Sequence, residues 1–254
     1  MGSAMLRGWI AGGVEPGHFV VVDPVAGGLP PGVAVYRSTS ELTMTFDTVL
    51  LGIKPQMIGN LAPEIAPLLA ADALVISILA GTEAATLSGY FPTATIVRLM
   101  TNLAAAIGKS PLGLWTPHLG QTRRDEFEAM LAPLGIPVWL NNEEQMNAVT
   151  ALVGSGPAFV YRFIDALAAG GAQLGLPVAT AAQYALAVVE GAALVAANST
   201  ESPAALAARV TSPGGTTAAG LAVLDNADAL SALIAETLCA AENRSAELAK
   251  GENV

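Results

Sequence analysis

The first part of the chain alternates short apolar runs with stretches of helical composition. Continuous apolar runs of this length suit strands that are buried on both faces of a sheet. The predicted strands are 18–23 (HFVVVD), 48–53 (TVLLGI), 73–79 (ALVISIL), 95–100 (TIVRLM), 112–116 (LGLWT) and 136–140 (IPVWL). Helices are predicted at 3–11, 56–69, 82–88 and 121–134. The alternation predicts a doubly wound, mostly parallel sheet, an α/β Rossmann-like domain over residues 1–142.

The pattern changes at residue 143, where the chain becomes rich in Ala, Leu and Gly. The only further strand candidate is Ala151–Val153, and the remaining pattern is helical. Helices are predicted at 144–152, 157–174, 178–197, 203–209, 215–224 and 228–249. Their faces are apolar nearly all round, which is typical of helices buried on several sides. Residues 143–254 are therefore predicted to form an all-α domain that packs against another domain or subunit.

An uncharged stretch at 166–189 raises the question of a membrane span. The Gly-Leu-Pro sequence at 175–177 predicts the end of one helix and the start of another, so we expect two buried helices and no membrane partner. The N-terminus has no basic region followed by an apolar stretch and a cleavage site, so no secretory signal is expected. The predicted location is cytoplasmic.

Composition narrows the function classes. The chain has 254 residues, of which 13% are charged, and its formal net charge is -10. An acidic surface repels phosphate backbones, so we expect no nucleic-acid partner. The single cysteine, Cys239, excludes an intramolecular disulfide and is predicted to be a small buried hydrophobe. With only two histidines in addition, a Cys/His zinc cluster is excluded, and no metal site is expected.

The N-terminal residues have two interpretations. Met1–Arg7 is similar to the last part of a G-x-G-x-x-G turn and its helix, with Gly2 as the third glycine. The expectation is then that the chain starts inside this element, without the first strand and the first two glycines. Asp23 ends the first predicted strand, near the position of an acidic residue that accepts the ribose 2′-OH. Alternatively, Gly2 is a flexible start and Asp23 belongs to an ordinary Asp-Pro turn.

The segment 210–221 (VTSPGGTTAAGL) is the most informative in the chain. Pro213, Gly214 and Gly215 allow a sharp turn, after which Thr216 and Thr217 open a helix. Free N–H groups at such a helix start, with hydroxyl groups beside them, suit a carboxylate or a phosphate. The alternative is a plain loop capped by Ser and Thr.

This segment resembles the signature of the pyrroline-5-carboxylate reductase family, whose members make proline from 1-pyrroline-5-carboxylate with NAD(P)H. Other family segments occur in the same order, so the resemblance covers essentially the whole chain. They are 51–56 (LGIKPQ), 76–81 (ISILAG), 97–102 (VRLMTN), 148–159 (AVTALVGSGPAF) and 174–177 (LGLP). The chain departs from the family pattern at Asn147, where Asp is usual, and in lacking the opening strand and first two glycines.

The resemblance implies a substrate site and a cofactor site. It implies Thr217 as the catalytic hydrogen-bond partner of the substrate ring nitrogen. The implied substrate-binding residues are Glu143, Thr150, Ser212, Pro213, Gly214, Gly215, Thr216 and Thr217. Glu143 would favour the protonated iminium electrostatically, or it would be a carboxylate facing water near a helix start.

The implied cofactor is NADPH or NADH. The matching positions are Gly2, Asp23, Ile53, Lys54, Pro55, Ala80, Gly81 and Asn102. The Asp23 carboxylate would favour NADH because it repels a 2′-phosphate. For Lys54 the alternative is an ordinary surface lysine.

The expected partners are the small-molecule substrate, 1-pyrroline-5-carboxylate, and further copies of the chain, as a homodimer or higher homo-oligomer through the helical domain. Two other functions stay open. One is a truncated, non-catalytic paralogue that binds no dinucleotide. The other is a different nicotinamide-dependent reductase of the same two-domain plan, such as one acting on β-hydroxy acids. Such enzymes are expected to use a lysine in the helical domain, and no lysine occurs between Glu143 and Glu242.

Overall fold

The computed structural model describes residues 1–249, and the chain divides into two compact units. Of the described residues, the first unit comprises Met1–Ser155 together with 240–249, and the second comprises Gly156–Cys239.

The first unit contains two groups of strands. The strands are β1 (Val20–Val22), β2 (Ala34–Tyr36), β3 (Phe46–Leu51), β4 (Leu69–Ser77), β5 (Thr95–Met100), β6 (Ser110–Trp115) and β7 (Gly135–Trp139). In the described residues β1 and β2 form a parallel pair, and the other strands form a five-stranded sheet in the order β3-β4-β5-β6-β7. Every neighbouring pair in this sheet is parallel except β5 and β6. The predicted mostly parallel sheet is confirmed.

Helices of the first unit lie on both faces of the sheet. They are α1 (Gly2–Ala11), α2 (Ile58–Ile65), α3 (Ala84–Tyr90), α4 (Gln121–Leu131) and α5 (Gln145–Val149). In β4, Leu74 and Ile76 pack with α1 and α4, whereas Val75 packs with α2 and α3. Because side chains alternate across a strand, both sets of β4 side chains are buried, which explains why this strand is continuously apolar in sequence.

The second unit is entirely helical in the described residues. Its helices are α6 (Gly156–Gln173), α7 (Val178–Ala197), α8 (Pro203–Arg209), α9 (Thr216–Leu224) and the first half of α10 (Ala229–Ala249). The break between α6 and α7 falls at the predicted Gly-Leu-Pro. By length and composition α7 is apolar enough to cross a membrane, and the bent pair of α9 with the helix that follows it passes the same test.

Two predictions about local structure are wrong, and one strand was not predicted. Ala151–Val153 lies in a wide π-helical turn, Thr150–Gly154, because the backbone of α5 continues in helical geometry. The short strand β2 follows a Gly- and Pro-rich loop and was not predicted. Cys239 is exposed in the described chain, because its face of α10 is not covered within the chain.

Candidate active site

Candidate cofactor positions meet at one edge of the sheet. Strands β3, β4 and β5 are parallel, and Leu51, Ser77 and Arg98 lie side by side near their carboxyl ends. The predicted residues 53–55, 80–81 and Asn102 come directly after these ends. Ligands of open α/β sheets bind at this edge. The structure therefore brings these three groups of residues to the same edge.

The loop after β3 places Lys54 at the start of a 3-10 turn, Pro55–Met57. The Lys54 carbonyl accepts a 2.9 Å hydrogen bond from the Met57 N–H, while its side chain is exposed. Pro55 has no N–H to satisfy at the first position of this turn, which suits its place there. The Lys54 ammonium is therefore accessible on the ligand side of the sheet.

The loop after β4 turns at Gly81, which has a φ of 73°. A Cβ atom there would lie 2.8 Å from the backbone nitrogen of Ala249, near the end of α10. Glycine is required twice over at this position, by its positive φ and by the close approach of a second backbone. The end of α10 thus lies directly against the predicted cofactor loop.

Asn102 is buried at the end of β5, and its side chain binds the protein backbone on both sides. Its Oδ1 accepts a hydrogen bond of 2.9 Å from the Ala104 N–H, and its Nδ2 donates one of 3.0 Å to the Val153 carbonyl. Its own N–H donates to Ser110 Oγ at 3.1 Å. Asn102 therefore joins the edge of the sheet to the turn that contains Thr150.

Glu143 also makes its polar contacts inside the first unit. Its Oε1 accepts hydrogen bonds from Arg98 Nη1 at 2.8 Å and from the Ala84 N–H at 2.7 Å. Ala84 is the first residue of α3, so the carboxylate satisfies one of the otherwise unpaired N–H groups of that helix. This ion pair is largely buried, which excludes the interpretation of Glu143 as a carboxylate that simply faces water.

Thr150 begins the π-helical turn that follows α5. Its hydroxyl donates a 2.7 Å hydrogen bond to the Met146 carbonyl, and its carbonyl accepts one of 3.0 Å from the Ser155 N–H. Single π-helical turns within helices are frequent at functional sites. The hydroxyl oxygen of Thr150 retains its acceptor lone pairs after donating to Met146.

Asp23 follows β1 and takes part in an Asx turn. Its Oδ1 accepts a 2.9 Å hydrogen bond from the Val25 N–H. Arg37 Nη1 donates to the carbonyl groups of Asp23, Pro24 and Ala26, and so braces the same loop. The Asp-Pro turn anticipated as an alternative is present, and it leaves the second carboxylate oxygen of Asp23 for another partner.

Gly2 begins α1, whose N-terminus has no side-chain cap and no acidic residue in its first turn. No heavy atom lies within 4 Å of the position that a Cβ atom of Gly2 would occupy, apart from its immediate neighbours. The start of α1 therefore has space beside Gly2, and no side chain caps its first backbone N–H groups.

The loop at 210–217 belongs to the second unit. Gly214 has a φ of 70°, and the Gly215 N–H donates a 3.0 Å hydrogen bond to the Ser212 carbonyl. A Cβ atom on Gly215 would collide with Ser212 Oγ. Thr216 opens α9 with no side-chain cap, and the Thr217 side chain is half-buried. The predicted sharp turn into a helix is confirmed, and the positive φ of Gly214 favours glycine at that position.

Sequence reasoning missed Arg98 as part of the site. It is 5% exposed and lies within the apolar run of β5, where a charged residue requires a buried partner. A charged residue within an apolar strand indicates a buried ion pair. The sequence does not show which residue is the partner, because Glu143 lies 45 residues away. In the described part of the chain, no group of three or more His, Cys, Asp or Glu residues is placed to hold a metal ion.

The chain is similar to known proteins in sequence and in structure. Residues 143–248 match the family model described as pyrroline-5-carboxylate reductase dimerisation. The pyrroline-5-carboxylate reductase of Pseudomonas aeruginosa is 34% identical over 259 residues, covering 98% of this chain and 94% of the relative. The enzyme of that name from Synechocystis is 38% identical over 86% of this chain and 81% of the relative.

Two solved structures are similar over nearly the whole chain. Pyrroline-5-carboxylate reductase from Coxiella burnetii has a TM-score of 0.87 and 29% identity, with 96% of this chain and 93% of that one covered. Plasmodium falciparum pyrroline carboxylate reductase, solved with NADP bound, has a TM-score of 0.85 and 25% identity, with 98% and 94% covered.

Proposed function

The chain belongs to the pyrroline-5-carboxylate reductase family, and we propose that it reduces 1-pyrroline-5-carboxylate to L-proline, the last step of proline biosynthesis. The observation that carries this proposal is the meeting of 53–55, 80–81 and Asn102 at the carboxyl edge of three parallel strands. That edge is where an open α/β sheet binds a dinucleotide.

The residues present fit NADPH or NADH, which when bound supplies the hydride. The uncapped start of α1 offers backbone N–H groups that suit a diphosphate, and the space beside Gly2 is open. We propose that Asp23 accepts a hydrogen bond from the adenosine ribose and thereby favours NADH. The cofactor-binding set proposed is Gly2, Asp23, Ile53, Lys54, Pro55, Ala80, Gly81 and Asn102.

We assign substrate recognition to Ser212, Pro213, Gly214, Gly215, Thr216 and Thr217, with Glu143 and Thr150. The N–H groups at the start of α9 and the nearby hydroxyl groups suit the substrate carboxylate. The Thr217 hydroxyl is the proposed hydrogen-bond partner of the ring nitrogen, which gains a proton in the net reaction. The Glu143 carboxylate favours the protonated, more electrophilic iminium.

We propose that residues 1–142 hold the dinucleotide and that residues 143–254 provide substrate binding and dimerisation. The match of 143–248 to a dimerisation family supports a homodimer or larger homo-oligomer. Apolar side chains on α7, including Tyr184, Val188 and Val195, are more than half exposed in the single chain. A second copy of the chain would remove them from water.

The proposed compartment is the cytoplasm. Cys239 is a free, exposed thiol, which suits a reducing environment.

The reaction is tested by incubating the purified chain with 1-pyrroline-5-carboxylate and either NADH or NADPH. We expect loss of the reduced-nicotinamide absorbance with formation of an equal amount of L-proline. Saturable dinucleotide binding without proline formation would contradict the proposed reaction. Failure to bind either dinucleotide would support the non-catalytic paralogue instead.

A further inference from the structure

We infer that Arg98 and Asn102 are positioning residues that fix the position of Thr150. Arg98 acts through its ion pair with Glu143, and Asn102 acts through its hydrogen bond to Val153. Both come from β5 and the residues that follow it. The inference rests on the proposed function, in which Thr150 takes part in substrate recognition.

The first connection is the ion pair between Arg98 and Glu143. Arg98 is 5% exposed, and its Nη1 lies 2.8 Å from Glu143 Oε1. The same oxygen accepts the Ala84 N–H, so that Glu143 is held both to β5 and to the start of α3. A buried cation and a helix N-terminus thus fix one carboxylate from two directions.

The second connection is the hydrogen bond from Asn102 Nδ2 to the Val153 carbonyl, at 3.0 Å. Asn102 is itself fixed, because its Oδ1 accepts the Ala104 N–H and its N–H donates to Ser110 Oγ. Asn102 is 7% exposed and Val153 is 8% exposed, so water competes little for this bond.

The two connections lie on either side of Thr150. Glu143 precedes α5, and Val153 lies in the π-helical turn that Thr150 begins. Close packing supports the same placement. A Cβ atom on Gly154 would lie 3.3 Å from Met100 Sδ, the sulfur of the last residue of β5. The segment 143–154 is therefore bound at both ends to the strand whose carboxyl end forms the proposed cofactor site.

This arrangement has a functional consequence. Catalytic groups must be held within a fraction of an ångström of their working positions, and a misplacement of about 1 Å can cost about 100-fold in rate. Loss of either connection should therefore reduce turnover through Thr150. Because Arg98 is not one of the proposed cofactor-binding residues, loss of its connection should have little effect on binding of the dinucleotide, and this effect separates its role from that of Asn102.

The experiment uses the full chain and two readouts. Arg98→Met removes the charge at similar length, and Arg98→Lys keeps it. Asn102→Asp keeps the acceptor for Ala104 but loses the donor to Val153. Amide hydrogen exchange is measured over residues 145–155 in each variant, and Arg162→Met, which breaks an exposed ion pair with Asp165, serves as the matched control. We expect faster exchange in Arg98→Met and Asn102→Asp, with partial restoration in Arg98→Lys and no change in Arg162→Met.

The second readout is a double-mutant cycle with Thr150→Ala. In the wild-type background, we expect Arg98→Met to lower kcat about tenfold or more and to change dinucleotide affinity less than about twofold. When Thr150 is already Ala, we expect Arg98→Met to lower kcat almost no further. Multiplicative losses in kcat would overturn the inference that Arg98 acts through Thr150. Unchanged exchange at 145–155 in both variants would overturn the positioning role itself. Because exchange does not require turnover, a wild-type chain that makes no proline would contradict the proposed function while this structural result is still obtained.

Discussion

Ser245 and Asn147 are joined by a 2.9 Å hydrogen bond from the Ser245 hydroxyl to Asn147 Oδ1, across 98 residues of sequence. Ser245 is buried in the last part of α10, and Asn147 lies in α5. The bond ties the end of the chain's final helix to the segment that contains Thr150. Gly81 lies against the same helix at Ala249, so this end of α10 is fixed at two places within the first unit.

The hydrogen bond between Ser245 and Asn147 predicts how two substitutions at Asn147 change the free energy of unfolding. Asn147→Ala leaves the buried Ser245 hydroxyl without its acceptor and should lower the free energy of unfolding by about 1–3 kcal/mol. Asn147→Asp keeps an oxygen for Ser245 and should cost less. Urea unfolding of the two variants measures the difference. Equal losses would show that the hydrogen bond does not account for the effect.

Gly135 should not tolerate a side chain. It has a φ of 148°, and an added Cβ would overlap the Ser110 carbonyl oxygen. Gly135→Ala should lower the free energy of unfolding by about 1–3 kcal/mol or more, because overpacking usually costs about that much. Gly89→Ala is the control, because Gly89 lies in α3 with open space around it. That change should be neutral or stabilise the protein by up to about 1 kcal/mol.

Thr217→Ala should slow imine reduction about 100-fold, as expected for loss of one hydrogen bond that strengthens in the transition state. Dinucleotide affinity, measured by fluorescence titration, should change little. Thr217→Ser keeps the hydroxyl and should retain most of the activity. Wild-type turnover by Thr217→Ala would remove this hydroxyl from the mechanism.

Asp23→Asn should change the preference between the two dinucleotides. The amide oxygen still accepts the Val25 N–H, so the Asx turn is kept, while the charge that repels a 2′-phosphate is lost. The ratio of kcat/KM for NADPH to that for NADH should rise about tenfold, as expected when a close like charge worth about 1.4 kcal/mol is removed. An unchanged ratio would indicate that Asp23 does not face the adenosine ribose.

The sequence predicts the regular elements well where caps and periodicity agree. The predicted bounds of the helices at 178–197 and 203–209 match the structure, because Pro177 precedes the first and Ser202–Pro203 opens the second. Strand β4 begins at Leu69, earlier than predicted. Asp72 interrupts the apolar run in the sequence, and in the structure it adopts a φ of 57° near an irregularity in the pairing with β3, through which the strand continues.

Contacts over long sequence separations could not be predicted. The π-helical turn at Thr150–Gly154 has the composition of either a helix or a strand, and tertiary bonds from Asn102 and packing on Met100 decide its geometry. The role of Glu143 in capping α3 depends on a contact across 59 residues. The family resemblance implied Glu143 and Asn102 as site residues, but it gave no sign that their side chains bind other parts of the protein.

In the proposed reaction, hydride passes from a nicotinamide to the imine carbon of 1-pyrroline-5-carboxylate. The most direct measurement is mass spectrometry of proline made by the purified chain with nicotinamide dinucleotide deuterated at the reacting carbon. The expected product is L-proline that carries one deuterium on Cδ, the former imine carbon, formed in equal amount to the oxidised cofactor. Cofactor oxidation with no labelled proline would contradict the proposed reaction.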